Sequence, residues 1–408
     1  MLKAKIHDQV VKKRKDIEKW FSEKRKELKF PIYSSFDIRD SGYKIANVDA
    51  NIFPAGFNNI CEVDRDRAPT LVANYLKNHY SENLKNIVLL TEEHTHNSYY
   101  WENIWALKNI FEKAGKIVRI AIPREFSGHF QADTANGNKI DVYSAIRKGT
   151  SLEVDGMTPD LVVSNNDFSE SYADWYAGLK ATINPPREMG WYRRKKSDYF
   201  REYNSVMAEF SQVIEVDPWC LQVDTELFEH FDIGDEKVMG EVASKVDIMI
   251  KRIQEKYLQH GIAEAPFIFI KNNSGTYGLG VLQVKSGEEV MKLNYKGRKK
   301  MKAAKGGREV SEVIIQEGIS TSLVSGTAVA EPTIYLLGCE LLGGFLRTHS
   351  DKSSQESLNS PGAVYKRLCV SDLEINVEGK PMENVYGWIA RLGLLAIGRE
   401  YNSFLKTL

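Results

Sequence analysis

Short apolar runs alternate with a helical pattern in the first half of the chain. IVLLT (87–91), IVRIAI (117–122) and DLVVSNN (160–166) each begin with an apolar run of the length that buried strands have. Gly115 ends the intervening segment, whose apolar residues recur at helical spacing: Trp101, Ile104, Leu107, Phe111 and Ala114. The order strand, helix, strand predicts a βαβ unit, a parallel sheet and hence an α/β fold.

The second half predicts a different order of elements. A long helix is expected over 238–260, followed by the strand FIFIK (267–271), a glycine-rich stretch and the strand VLQV (281–284). EVIIQEGI (312–319) predicts another strand, and TIYLLG with LLGGFLR (333–347) predicts a hairpin-like pair. Apolar residues at helical spacing predict a C-terminal helix: Val385, Trp388, Ile389, Leu392, Leu395 and Ala396.

Charge and proline positions divide the chain into segments. Residues 3–29 predict one charged amphipathic helix that ends before Pro31. The paired prolines at 185–186, followed by a basic helical start, predict a boundary. A length of 408 residues is too great for one simple core. The expected units are a helix at 1–30, a substrate-side α/β domain at 31–195, a nucleotide-binding subdomain at 196–320 and a C-terminal subdomain at 321–408.

Composition excludes several classes of protein. Lysine plus arginine equals aspartate plus glutamate at 55 each, so net charge gives no support to nucleic-acid binding. The basic, glycine-punctuated segment 295–308 almost lacks interleaved aromatics and predicts a mobile loop. No apolar run is long enough to span a bilayer. The four cysteines lie far apart without a CxxC pair, which argues against a disulfide framework or structural zinc and favours the cytoplasm.

The stretch KNNSGTYGLGV (271–281) is the first candidate binding element. Its glycines at 275, 278 and 280 form GxxGxG, which is neither the dinucleotide nor the P-loop pattern. Backbone N–H groups in such a flap can bind polyphosphate oxygens, and Lys271 can neutralise a phosphate. A flexible surface hairpin is the alternative. The predicted nucleotide-binding residues here are Lys271, Ser274, Gly275, Gly278 and Gly280.

Two later segments and one early segment carry further candidates. Backbone groups at the edge of the strand 312–319 can bind an adenine, and an adjacent carboxylate can bind ribose. The predicted nucleotide-binding residues here are Gln316, Glu317 and Ile319. Arg347 can bind a transferring phosphoryl group or a substrate carboxylate, and Glu340 offers oxygen to Mg²⁺. Predicted to bind an amino-acid substrate are Arg39, Asp49, Asn51, Asn58, Asn59 and Asn359. Each residue alone is more often structural.

These segments, in this order, resemble the ATP-grasp superfamily of the glutathione synthetase type. Four blocks are most similar to the smaller, ATP-grasp-like bacterial family of glutamate–cysteine ligases: NVDANIFPAGFNNI (47–60), TEEHTHNSYYWENI (91–104), KNNSGTYGLGV (271–281) and AEPTIYLLGCELLGGFLRTH (330–349). The resemblance implies a Rossmann-like N-terminal domain before an ATP-grasp-like domain. It implies ATP- and Mg²⁺-dependent joining of the γ-carboxylate of glutamate to the amine of cysteine, through an acyl phosphate, as the first step of glutathione synthesis.

The resemblance also implies a Glu-x-Asn metal pair and a second ATP lysine. Glu374 with Asn376 is favoured for the metal over Glu400 with Asn402, while Lys305 and Lys251 are both candidates for the lysine. His94 and His96 predict a substrate-contacting or packing role rather than a zinc site, since a distant third ligand is not evident.

Other functions remain open at this point. One is a different carboxylate–amine ligase of the same superfamily, and another is a nucleotide-binding protein without catalysis. Glutamate and cysteine are the expected small-molecule partners, no nucleic acid or membrane is expected, and a homo-oligomer stays open. Lys271 and Arg347 are the residues expected to be catalytic, because positioning and charge neutralisation must supply the rate of such a reaction.

Overall fold

The computed structural model of the chain describes residues 2–93, 96–274, 280–302 and 309–405. It shows a mixed α/β protein. The helices, in chain order, are α1 Leu2–Lys12, α2 Arg14–Arg25, α3 Glu62–His79, α4 Ser98–Lys113, α5 Ala173–Tyr176, α6 Lys196–Ile214, α7 Glu236–Gln259, α8 Gly287–Met291, α9 Tyr295–Lys302 and α10 Val385–Leu405.

The strands follow the same chain order. They are β1 Tyr33–Asp40, β2 Ile45–Asn51, β3 Asn86–Leu90, β4 Ile117–Ile122, β5 His129–Asp133, β6 Lys139–Ser144, β7 Ile146–Lys148, β8 Ser151–Glu153, β9 Leu161–Ser164, β10 Ile183–Asn184, β11 Thr225–Glu229, β12 Ile268–Asn272, β13 Val281–Val284, β14 Glu312–Glu317, β15 Val324–Ser325, β16 Ala328–Leu337, β17 Glu340–His349, β18 Val364–Leu368, β19 Glu374–Val377 and β20 Lys380–Glu383.

A mostly parallel sheet occupies the N-terminal half. Its order is β10-β9-β3-β4-β6-β5, and every neighbouring pair is parallel except β5 with β6 at the edge. The helix α4 begins after Asn97, whose side chain accepts the N–H of Tyr99. The predicted βαβ unit and parallel pairing are therefore confirmed, whereas a Rossmann-like identity for this domain stays a prediction.

A second, antiparallel sheet joins the two ends of the chain. Its order is β18-β17-β16-β1-β2, with β15 paired to β16. Cross-strand register sets Asp37 of β1 opposite both Thr333 of β16 and Asp49 of β2. Residues 33–51 and 328–368 thus share one sheet although the sequence predicted them in separate domains, and the proposed domain bounds stay a prediction.

A third sheet provides the other wall of the candidate site. Its antiparallel order is β11-β14-β12-β13, and α7 packs its apolar side against it through Met239, Val242, Val246 and Met249. The predicted helix at 238–260 and the strands at 281–284 and 333–347 are confirmed. None of the helices in the described part of the chain has the length and apolarity needed to cross a bilayer.

Two sequence predictions about local structure need correction. The charged N-terminal segment forms two helices, broken at Lys13, because buried residues on both sides of the break pack into one core: Ile6, Val10, Ile17 and Phe21. The segment expected to be a loop at 295–308 is helical over Tyr295–Lys302, since Met301 is buried against the α7 core. The rest of that segment, 303–308, lies outside the described residues.

The expected absence of a disulfide is also wrong. Cys61, just before α3, and Cys369, just after β18, form a disulfide with a Cα–Cα distance of 5.5 Å. The two residues are 308 positions apart, so spacing along the sequence gives no indication that the fold brings them together. Cys220 and Cys339 are free thiols.

Candidate active site

A cavity lies between the antiparallel sheet that contains β1 and β16 and the sheet that contains β12 and β14. Four acidic and four basic side chains line it together with apolar and amide groups. The lining residues are Asp37, Arg39, Val48, Asp49, Lys196, Phe269, Lys271, Asn272, Val281, Gln316, Glu317, Ile319, Glu331, Arg347, Ser357 and Asn359. Of the residues predicted from the sequence, eight meet here: Arg39, Asp49, Lys271, Gln316, Glu317, Ile319, Arg347 and Asn359.

An ion-pair chain crosses the strands on one face of the cavity. Arg347 Nη1 donates to Asp37 at 2.8 Å and to Glu331 at 2.6 Å, and Glu331 pairs with Arg39 at 2.5 Å. Strand geometry explains the arrangement, because Asp37 and Arg39 are two residues apart on β1 and Glu331 lies opposite Arg347 in register. The Nε of Arg347 is buried without a hydrogen-bond partner among the described residues.

Burial and neighbouring charges have opposite effects on the pKa values of the residues in this ion-pair chain. Burial raises the pKa of Asp37, although Arg347 opposes that rise. Burial acts in the same direction on Glu331, but its two arginine neighbours outweigh it and hold the pKa of Glu331 below the usual value. Burial alone would lower the pKa of Arg347, yet the two carboxylates raise it well above its ordinary value. The arginine therefore keeps its positive charge inside the cavity.

Lys271 points from β12 toward the centre of the cavity. Its Nζ donates to Gln316 Oε1 at 2.6 Å and to the carbonyl oxygen of Val48 at 3.2 Å. Burial lowers the pKa of Lys271 to about 8, and the nearby Asp49 opposes the shift. A lysine that carries no carboxylate hydrogen bond of its own can accept an anionic ligand without first losing an ion pair.

Lys196, at the first turn of α6, is a functional candidate that sequence reasoning missed. Its Nζ makes a short hydrogen bond to Asp49 Oδ1 and lies 4.9 Å from the ring centre of Trp191. Burial raises the pKa of Asp49, but Lys196 and Lys271 outweigh that effect and lower it. The backbone N–H of Lys196 donates to Asn273, which ties the start of α6 to the beginning of the glycine-rich stretch.

Glu317, the last residue of β14, forms a fully buried ion pair with Lys44. Lys44 Nζ donates to both carboxylate oxygens of Glu317 at 2.7 Å and lies 4.2 Å from the ring centre of Trp219. Glu317 also accepts the N–H of Asp224 at 3.1 Å. The carboxylate predicted to bind ribose is thus engaged with protein groups, while Gln316 and Ile319 beside it face the cavity.

Several predicted residues lie elsewhere or outside the described part of the chain. Ser274 donates its N–H to Asn272 Oδ1, and Gly280 has φ +62° at the far end of the stretch. Asn51 accepts the N–H of Phe53, and the Asn58 side chain donates to Asn59. These three asparagines make local hydrogen bonds and are not among the cavity-lining residues. Gly275, Gly278, His94 and Lys305 fall outside the described residues.

The predicted metal ligands are also apart from the cavity. Glu340 begins β17 and lies 3.8 Å from Arg391, whereas Glu374 and Asn376 belong to the small sheet of β19 and β20. Glu400 is buried against Arg194, with both of its oxygens accepting hydrogen bonds at 2.8 and 3.0 Å. Metal binding by Glu340, Glu374 and Asn376 stays a prediction, and the carboxylates that reach the cavity are others.

Among the described residues, one group of metal-ligating types is close enough to share an ion. It consists of Cys61, Asp64 and Cys369. Because the two sulfurs are bonded to each other, they are not available as thiolate ligands in this state. Asp64 accepts the N–H of Val370 at 2.9 Å. This group is therefore a structural link rather than a metal centre.

Sequence reasoning missed three charged residues of the cavity: Asp37, Lys196 and Glu331. The sequence contains a weak indication of each of these residues. Asp37 precedes the predicted Arg39 by two positions, Glu331 interrupts an otherwise apolar strand, and Lys196 follows the basic run after the paired prolines. A charged residue inside a buried strand is costly unless it is paired, so Glu331 in particular indicated a partner.

The chain was compared with known proteins. The family model for glutamate-cysteine ligase matches residues 7–401. A crystal structure of a protein proposed as a gamma-glutamylcysteine synthetase, from Methylobacillus flagellatus KT, is 33% identical with a TM-score of 0.86. That match covers 97% of this chain and 95% of that chain. Among curated proteins no match was found.

Two other solved structures are far less similar. D-alanyl-alanine synthetase A from Vibrio cholerae O1 has 10% identity and a TM-score of 0.36, over 78% of this chain and 81% of that chain. A glutathione synthetase-like effector from Globodera pallida has 11% identity and a TM-score of 0.38, over 85% and 77% respectively. These TM-scores are too low to show a shared fold, so the ATP-grasp-like architecture stays a prediction. The family match over nearly the whole length is sufficient by itself: this chain belongs to the glutamate–cysteine ligase family.

Proposed function

We propose that the cavity between β1, β12, β14 and β16 is the place where this ATP-dependent ligase activates glutamate and joins it to cysteine. The observation that carries the proposal is the convergence of four basic and four acidic side chains on one cavity. A reaction between two anions, a carboxylate and a polyphosphate, requires this kind of charge neutralisation. Membership of the family supplies the reaction, and the geometry supports the location.

The end of the cavity near β14 suits the nucleoside. Phe269 and Val281 offer apolar surface, while Gln316 and Ile319 line the cavity at the carboxyl end of β14. The sequence predicted an exposed strand edge here, but β14 is buried and pairs with both β11 and β12. Binding sites for small molecules combine such apolar walls with a few polar groups that fix orientation. Because Glu317 is paired with Lys44, it fixes the end of β14 in place, in addition to any contact with ribose.

Lys271 and Lys196 suit the phosphates. Both line the cavity, and they approach it from different elements, β12 and the first turn of α6. The first two backbone N–H groups of α6 already donate to Asn273, so the two lysine ammonium groups supply the positive charge here. We therefore assign Lys196 the role of the second ATP lysine, in place of Lys251, which lies on α7 and lines a separate surface groove.

The acidic side chains of the cavity fit Mg²⁺ through their oxygen atoms. Asp37 and Glu331 are each held by arginine, whereas Asp49 is bound by Lys196 through one oxygen and its side chain is 41% exposed. Asp49 would therefore hold Mg²⁺ together with the phosphates, in competition with the substrate ammonium that the sequence predicted for it. The ion would neutralise phosphate charge as the phosphoryl group moves.

The chemistry places few covalent demands on the protein. An oxygen of the glutamate γ-carboxylate attacks the γ-phosphorus of ATP, the bond to ADP breaks, and an acyl phosphate forms. The amine of cysteine then attacks the acyl carbon, phosphate leaves with the bonding electron pair, and the amine loses a proton. Arg347 holds a fixed positive charge where these anions meet, and its buried Nε has hydrogen-bonding capacity to spare.

Release of ADP by purified protein tests this assignment. We expect ADP only when glutamate, cysteine and ATP are all present, and we expect one ¹⁸O atom to pass from labelled glutamate γ-carboxylate to phosphate. Lys271→Ala and Arg347→Ala should each lower kcat/KM at least roughly tenfold, which is about 1.4 kcal/mol of barrier. Arg119→Ala, which removes a half-exposed arginine on β4, is the control and should match the wild type. Near-normal rates in both cavity variants would exclude the site.

A further inference from the structure

The loop between β17 and β18, residues 350–363, forms one wall of the cavity. It contributes Ser357 and Asn359 to the lining, and between them Leu358 is completely buried. The loop has few regular backbone hydrogen bonds of its own, among them Glu356 to Ser353 and Ala363 to Ser360. Its position at the cavity must therefore be set mainly by contacts with other elements.

Arg39 supplies the most extensive of these contacts. Its guanidinium donates from Nη1 to the carbonyl oxygen of Ser354 at 3.0 Å and from Nη2 to that of Glu356 at 2.8 Å. Its Nε pairs with Glu331 at 2.5 Å, and the residue is only 4% exposed. The N–H of Thr321 donates to the same Ser354 oxygen, so two elements hold one point of the loop.

Each of the three guanidinium nitrogens of Arg39 thus has an acceptor within the protein. Nε faces a carboxylate and the two terminal nitrogens face main-chain carbonyls, immediately before Ser357. A planar guanidinium with donors in fixed directions can hold three such acceptors at once, and a lysine ammonium on a flexible stem does not reproduce that geometry. Two N–H groups of the guanidinium remain for a ligand, while the other three fix the side chain against the loop and Glu331.

We propose that Arg39 is a positioning residue, which acts through the loop 350–363 to place Ser357 and Asn359 against the amino-acid substrate. This role adds to any direct contact of Arg39 with substrate, and it rests on the proposed function of the cavity. The contact to Glu331 links the loop to Arg347 and Asp37, so the loop and the charged centre are aligned by one side chain.

Steady-state kinetics of Arg39→Lys test the proposal. We expect at least a tenfold rise in KM for glutamate or for cysteine, with the KM for ATP within twofold of the wild type. The double variant Ser357→Ala/Asn359→Ala should show the same rise. Adding Arg39→Lys to that double variant should change KM little further, because both act through one loop. Additive effects, or a lower kcat with unchanged KM values, would show a general structural role and overturn the proposal.

Hydrogen exchange gives a second readout that does not need activity. Amides of residues 350–363 should exchange at least tenfold faster in Arg39→Lys than in the wild type, while those of the parallel sheet stay unchanged. Lys77→Gln, which breaks an exposed ion pair with Glu82 outside the loop, is the control and should leave both exchange and KM unaltered. Equal exchange in Arg39→Lys and the wild type would refute the positioning role. Wild-type protein inactive with glutamate and cysteine would instead refute the proposed function.

Discussion

Lys271 shows at the scale of a single residue how burial sets the conditions for activity. Its ammonium lies inside the cavity, and burial lowers its pKa to about 8. In the free enzyme the charged form therefore predominates below that pH, and the neutral form above it. Because phosphate oxygens prefer the charged form, binding of ATP should raise the pKa again and be coupled to uptake of a proton.

We expect the affinity for ATP to fall as the pH rises above about 8. The limiting slope for loss of one proton is roughly tenfold per pH unit. Titrations of ATP from pH 7 to 9.5 measure it, without the cysteine substrate whose thiol ionises in the same range. Lys271→Arg keeps its charge throughout and should lack the slope. A wild-type dissociation constant that is flat over this range would contradict the role of Lys271.

Cavity residues could be predicted from the sequence where a strand-like segment contained a charged or amide side chain in an order that resembles a known family. Lys271, Gln316 and Arg347 lie on strands in such an order, and all three line the cavity. Asp37 and Glu331 could not be found in this way, because each forms an ion pair with a residue far away in the sequence, Asp37 with Arg347 and Glu331 with Arg39. The asparagines at 51, 58 and 59 illustrate the opposite case, in which side chains typical of binding sites make local turns.

At the scale of the element, the hairpin of β16 and β17 brings Glu331 and Arg347 together. Gly344 lies close to the neighbouring strand, because a Cβ added there would be 2.4 Å from the backbone oxygen of Thr333. Thr333 in turn donates its hydroxyl hydrogen to Asp37 at 2.9 Å. The glycine therefore allows a backbone approach on which the charged centre depends.

Gly344→Ala should destabilise the protein by about 1–3 kcal/mol, the usual cost of overpacking. Unfolding in urea measures the free energy of unfolding. Gly240→Ala is the matched control, since a Cβ at that position in α7 meets no atom within 4 Å. This control should gain up to about 1 kcal/mol from the better helix propensity of alanine. If Gly344→Ala were as stable as the wild type, the close approach would have no energetic importance.

Elements with strong periodicity were predicted well from the sequence, but their pairing was not. The helix α7 and the strand β4 lie where their apolar patterns placed them. In contrast, the helix α9 is highly charged and contains a glycine, and it forms because a tertiary contact buries Met301. The pairing of β1 with β16 joins segments that are about 300 residues apart in the sequence. The hydrophobic pattern of a strand does not indicate which distant strand it pairs with.

At the scale of the whole molecule, the disulfide between Cys61 and Cys369 links the start of α3 to the end of β18. Cross-links that close long loops restrict the unfolded chain most, and this one closes a loop over 308 positions. Both cysteines are close in sequence to elements of the cavity. Cys61 follows the loop after β2, and Cys369 follows β18, the strand after the loop 350–363.

Reduction of this disulfide should lower stability by about 2–4 kcal/mol. Melting temperatures with and without a phosphine reductant measure the effect. The double variant Cys61→Ser/Cys369→Ser should melt at the temperature of the reduced wild type and should not respond to the reductant. Identical melting of oxidised and reduced wild type would show that the cross-link does not stabilise the fold.

The nucleotide and glutamate are expected to meet in the cavity between the two antiparallel sheets. A crystal structure with a non-hydrolysable ATP analogue and glutamate would show where both bind. We expect the adenine near Gln316 and Ile319, the terminal phosphate near Lys271 and Lys196, and the γ-carboxylate of glutamate near Arg347. A nucleotide bound outside this cavity, with these side chains unchanged and free of ligand, would contradict this expectation.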